Sequence, residues 1–167
     1  MSTEIDAADV TDRLVGITPI YLQNFISRGL YGLRASARPG KVREKRRLFS
    51  REDVFGIALV WLLFESGLRT EPIARTLNEI AGTKKANANL CAKKLLESQT
   101  DYLLMIRHPR GPTKTPQEKK PEQIVKQIRR AELAAAIEQH ALADILVIPV
   151  GAKFQDVSRR LEILFGP

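Results

Sequence analysis

Apolar residues recur at helical spacing through the first 82 residues, and each run stops at a glycine. Val10 and Leu14 lie four apart before Gly16. Leu22, Phe25 and Ile26 form the stripe of the next segment, with Ile20, Gln23, Asn24 and Ser27 facing the other way. Thr18 is a favoured N-cap, Pro19 suits the first helical position, and Gly29 suits a left-handed exit. Two short helices separated by a tight turn outline a helix-turn-helix. Ser50 and Asp53 make a capping-box variant, and Val54, Ile57, Ala58, Trp61 and Phe64 follow at spacings of three and four up to Gly67. Thr70 reads as the cap of a fourth helix, with Pro72 in its first turn, Ile73 and Leu77 inward, and Gly82 at its end.

Between these helices, Leu33 to Phe49 has no helical period and is split by Pro39-Gly40. That predicts a two-stranded hairpin, a wing. Past residue 82 the pattern changes. Lys84 to Ser98 predicts a helix with Ala86, Leu90, Leu95 and Leu96 as partial contacts. Tyr102 to Ile106 reads as a buried strand, and residues 109–121 hold four prolines, as a loop or linker does. Glu122 to Ala143 predicts a long helix through Ile124, Ile128, Leu133 and Ile137. Ile145 to Val150 reads as a second strand and Gln155 to Phe165 as a last helix. Strand, helix, strand implies a βαβ unit with a small parallel sheet. The expected fold is mainly α: a winged helix-turn-helix over 1–82, then a small α/β unit over 83–167.

Charge sharpens this picture. Residues 28–51 contain nine basic side chains and one acid, so this stretch carries the whole formal charge of +8. An excess placed between two helices suits a surface that meets a polyanion. At 44% hydrophobic and 28% charged residues the chain is globular in composition. Its longest apolar run, Ile57 to Phe64, is too short to cross a bilayer, and MSTEIDAADV lacks a signal-peptide core. A single cysteine, Cys91, excludes an internal disulfide and fits a cytoplasmic protein.

The first half resembles the DNA-binding domain of the MerR family of transcriptional regulators, over residues 5–82 or so. That family's pattern is a short helix, Gly-Val-Ser, a helix with Thr-Leu-Arg-Tyr-Tyr, and a Gly-Leu exit. Here Gly16-Ile17-Thr18 opens the helix, Leu22 and Phe25 hold the Leu and second Tyr places, and Gly29-Leu30 forms the exit. Arg47-Leu48-Phe49-Ser50-Arg51-Glu52-Asp53 stands where the family's wing closes on Arg-Arg-Tyr-Ser-x-x-Asp, and Gly67-Leu68 with Glu71-Pro72-Ile73 matches the next string. The chain departs from the pattern at Gln23-Asn24, where the family has Arg-Tyr, and in a longer, more basic wing. The resemblance implies a winged helix-turn-helix that binds double-stranded DNA.

The residue chemistry agrees with that expectation. Gln23 and Asn24 carry amides that pair bidentately with adenine in the major groove. Tyr21 and Arg28 flank them as phosphate contacts, Arg38, Lys41, Arg43, Lys45 and Arg46 track the backbone or minor groove, and Thr18 and Arg47 complete the expected DNA-binding set. Dimerisation through the second half is expected, because one winged helix buries little surface on DNA. Gly151, between a strand and a helix, is a weak candidate anion site. No spacing of nucleophile and base or of paired carboxylates suggests an enzyme. One cysteine and two distant histidines give no metal or cofactor site. Two other readings compete: a nucleoid or scaffold protein making nonspecific contacts, and a repressor with a small-molecule effector in the second half.

Overall fold

The computed structural model describes residues 4–34, 36–37, 47–85, 87–107 and 123–166. It is mainly helical, with two small antiparallel sheets. A short strand β1 (Ile5–Asp6) leads into a π-helix (Asp9–Val15), which ends where Gly16 turns left-handed at φ 75°. Helix α1 (Pro19–Ser27) follows, with Thr18 extended at its N-cap. Gly29, at φ 57°, then reverses the chain into a 3₁₀ turn (Leu30–Gly32). Strands β2 (Ser36–Ala37) and β3 (Arg47–Phe49) pair antiparallel, Ser36 opposite Leu48, and β1 adds to the far side of β3.

Helix α2 (Arg51–Glu65) is the centre of the molecule. Ser50 caps it reciprocally: the Asp53 amide donates to Ser50 Oγ at 3.2 Å, and the Ser50 amide donates to Asp53 Oδ2 at 2.8 Å. Val54, Gly56, Ile57, Ala58, Leu59, Val60, Trp61 and Leu63 are all buried, so this helix is covered on nearly every side. Helix α3 (Thr70–Ala81) and helix α4 (Ala88–Glu97) supply part of that cover. Gly56 lets α4 approach closely, since a Cβ there would stand 2.9 Å from the Asn89 backbone nitrogen. Asn89 Nδ2 also donates to Asp53 Oδ1 at 2.6 Å, which ties α4 to the first turn of α2.

The second sheet holds β4 (Tyr102–Arg107) between β5 (Gln123–Ile128) and β6 (Asp144–Ile148). Both neighbours run antiparallel to β4, which corrects the expected parallel βαβ unit. The long helix expected over Glu122 to Ala143 is also corrected. Its first part is β5, and only α5 (Leu133–Gln139) is α-helical, after a 3₁₀ turn (Arg130–Glu132). Ile124 and Ile128 lie four apart, a spacing that fits one helix face and also one strand face. Pairing with β4 along its whole length decides for the strand. Helix α6 begins at Val150 rather than Gln155 and runs to Phe165. Helix α4 starts at Ala88, capped by the Asn87 side chain 2.7 Å from the Leu90 amide, and not at Lys84. Thr70 is the first residue of α3, with extended Arg69 at the N-cap.

One sheet face carries Leu103, Met105 and Ile148 into the main core, which runs without a break from Ile5 to Leu161. The other carries Leu104, Ile106 and Ile128 under Ala136 and Leu133 as a smaller second cluster. Helix α6 packs on α2 and on the π-helix, adding Phe154, Val157 and Leu161 to the main core.

Candidate nucleic-acid interface

Burial of Leu22 and Phe25 fixes how α1 faces the rest of the molecule. Residues three and four apart share a helix face, so Ile20, Gln23, Asn24, Ser27 and Arg28 form one solvent-facing stripe; all five are exposed. Thr18 is exposed at the head of this stripe. Its side chain makes no capping bond, while its carbonyl accepts from the Tyr21 and Leu22 amides at 2.9 and 3.2 Å. The stripe holds no acidic side chain, and its one cation is Arg28. Gln23 borders an open cleft of roughly 370 Å³ that it shares with Ala7, Ala8, Thr11, Asp12 and Pro19.

Tyr21 is placed differently from the other candidates. Its ring lies 4.9 Å from that of Phe64 and 5.5 Å from that of Trp61, so its body belongs to an aromatic cluster between α1 and α2. The residue is 37% exposed, at the border of the stripe. Arg69 lies over the Phe64 ring at 5.7 Å and adds a cation to the edge of this cluster. Arg34 is exposed just before β2. The backbone of Arg47 lies in β3, whereas Arg38, Lys41, Arg43, Lys45 and Arg46 fall outside the described residues.

Sequence reasoning misses one residue of the stripe as a site candidate. Ile20 is 63% exposed beside Asn24, an apolar side chain on the polar face of an amphipathic helix. Such a residue fits contact with a thymine methyl. Its signal is present in the sequence, as the one break in an otherwise polar stripe.

Nothing in the local pattern announces a clasp from the far end of the chain. Lys153 Nζ donates to the Val15 carbonyl at 2.9 Å and Arg160 Nη1 to the Arg13 carbonyl at 3.2 Å. Two cations of α6 thereby satisfy carbonyls in the last turn of the π-helix and oppose its negative end. Arg51 Nη2 at the start of α2 donates to the Gly166 carbonyl at 2.8 Å. The π-helix before Gly16 is thus held from behind by the C-terminal helix.

The other candidates have structural explanations. The Gly151 amide donates to the Asp101 carbonyl at 2.9 Å, and a Cβ on Gly151 would stand 2.9 Å from Asp101 Cα. The glycine is there to admit the Asp101 backbone, and its N–H is taken. Cys91 is fully buried in α4 with Sγ 3.3 Å from the Leu77 carbonyl; burial pushes its pKa up to about 11, against a smaller lowering by Lys94. His140 Nε2 lies 2.9 Å from Lys126 Nζ. Among the described residues no three of His, Cys, Asp and Glu gather as metal ligands, and no helix is long and apolar enough to cross a membrane.

Comparison with models of known protein families and with curated proteins found no match.

Proposed function

We propose that this chain is a sequence-specific DNA-binding transcriptional regulator of the MerR-like winged helix-turn-helix type, working as a homodimer on double-stranded DNA. One arrangement carries the reading. The exposed stripe of α1 presents two amides, an apolar side chain and an arginine, and the chain then passes through the 3₁₀ turn to antiparallel strands β2 and β3. The segment joining those strands, residues 38–46, has five basic side chains and one acid. In this reading α1 enters the major groove, where Gln23 and Asn24 read adenine and Ile20 meets a thymine methyl. Thr18, Tyr21 and Arg28 hold phosphates on either side, and the basic segment with Arg47 follows the backbone or minor groove.

The test is selection of bound duplexes from a random pool, followed by titration of the selected sequence at several salt concentrations. The expected result is an inverted repeat with A·T pairs in each half-site. Equal affinity for every duplex, with a steep salt dependence, would overturn the reading in favour of nonspecific nucleoid or scaffold binding.

A further inference from the structure

The two outer strands of the second sheet are built differently. β5 carries Lys126 and Gln127, polar side chains of the kind that discourage edge pairing. β6 reads Asp-Ile-Leu-Val-Ile and has no lysine, proline or glycine. Among the described residues it pairs on one side only, with β4. Its side chains are apolar on both sheet faces: Leu146 points to the main-core side and Val147 to the α5 side, and each is 36% exposed. Leu142, in the turn leading into β6, is 92% exposed, and Ile137 in α5 is 39% exposed. Among the described residues, four of the ten exposed large apolar side chains therefore fall within residues 137–147. The remaining six are spread over α1, α4 and the end of α6, on helices that carry no unpaired strand edge.

We propose that the β6 edge pairs antiparallel with β6 of a second copy, joining two three-stranded sheets into one of six strands. A second copy is the fitting occupant because an antiparallel edge is self-complementary about a two-fold axis. Each backbone donor meets its symmetry-related acceptor, and the contact closes without leaving a further edge there. Apolar flanks on both faces then meet their own copies above and below the joined sheet. The geometry also reaches the proposed DNA-reading surface. β6 passes through Pro149 alone into α6, and Lys153 and Arg160 of α6 hold the π-helix whose Gly16 turn leads into α1. A two-fold axis at β6 thus sets the separation of two copies of α1, as recognition of paired half-sites requires. That purpose rests on the proposed DNA reading; the pairing itself is measured without DNA.

The experiment is sedimentation of the full chain over micromolar concentrations, alongside Val147→Lys and Leu146→Cys. The native chain should sediment as a dimer, and Val147→Lys should raise the dimer dissociation constant at least about tenfold with an unchanged circular dichroism spectrum. Leu146→Cys should crosslink to its own copy under mild oxidation. Ile163→Cys, on a 75% exposed position of α6, should not, and Cys91 is too buried to interfere. If Val147→Lys unfolds, the Leu146→Cys crosslink decides alone. A native monomer at all concentrations overturns the proposal, as does a dimer that Val147→Lys leaves intact and Leu146→Cys fails to trap. A monomer that becomes a dimer when residues 109–121 are shortened also overturns it, by showing that the chain's own residues occupy the edge. Failure of DNA binding in a β6-paired dimer would sink the functional reading and leave the interface standing.

Discussion

Gln23 and Asn24 stand about 100° apart on α1, so they address neighbouring base edges and not the same one. Replacing either with alanine should cost about 1–3 kcal/mol on the selected sequence and relax preference at one or two base pairs, with random DNA hardly affected. Competition titrations against single-base variants measure this; equal weakening on specific and random DNA would show that α1 does not read bases. Cys91 makes a prediction of another kind. Its pKa is raised from near 9 to about 11, so the folded state favours the protonated thiol. The stability this contributes is complete below pH 9 and is lost as pH rises through about 11. Denaturant titrations of the native protein and Cys91→Ala should therefore differ by a constant amount up to pH 9, and by progressively less above it. Parallel curves across that window would remove the thiol from the account. The same burial should keep Cys91 unreactive to thiol reagents until the protein unfolds.

Among the elements, the helices are legible wherever the backbone itself demands a particular residue. Gly16, Gly29 and Gly82 all take left-handed conformations at the ends the sequence marks, and Ser50 with Asp53 forms the expected capping box. The strands of the second half are legible where they are plain apolar runs, but their direction is not. β5 reads as helix because helix and strand periods coincide at a spacing of four, and its long-range pairing with β4 leaves no local trace. The clasp of Lys153 and Arg160 is invisible for a related reason, since each bond spans well over a hundred residues. Of the candidate site, the exposed face of α1 follows from amphipathic spacing, whereas packing of the Tyr21 ring on Trp61 and Phe64 needs the tertiary structure. The basic segment between β2 and β3 is tested through its charge. Arg43, Lys45 and Arg46 changed together to alanine should flatten the slope of log K against log salt by roughly 0.9 for each phosphate no longer neutralised. An unchanged slope in the folded triple variant would make the cluster a bystander.

At the scale of the whole molecule, the main core does not stop where the sequence pattern changes. Gly82 is the left-handed exit of α3, and beyond it Ala88, Cys91, Ala92 and Leu95 of α4 join the same buried cluster as Leu22 and Phe25. Helix α6 adds Phe154, Val157 and Leu161 from the other end of the chain. Burying three such side chains is worth roughly 4.5–9 kcal/mol at about 1.5–3 kcal/mol each. Whole domains are stable by only about 5–15 kcal/mol, so this contribution is comparable with the total. Removing residues 150–167 should therefore leave a chain without a cooperative thermal transition, although every residue of the α1 stripe is retained. Residues 1–82 alone should fare no better, because α2 is then stripped of the cover of α4 as well as that of α6. Calorimetry and near-ultraviolet circular dichroism of the two truncations check this. A cooperative transition near the full-length midpoint in the 1–82 fragment would show that this half folds independently. Its absence would mean that the second half holds up the surface proposed to read DNA, so that a change at β6 has a continuous packed route to α1.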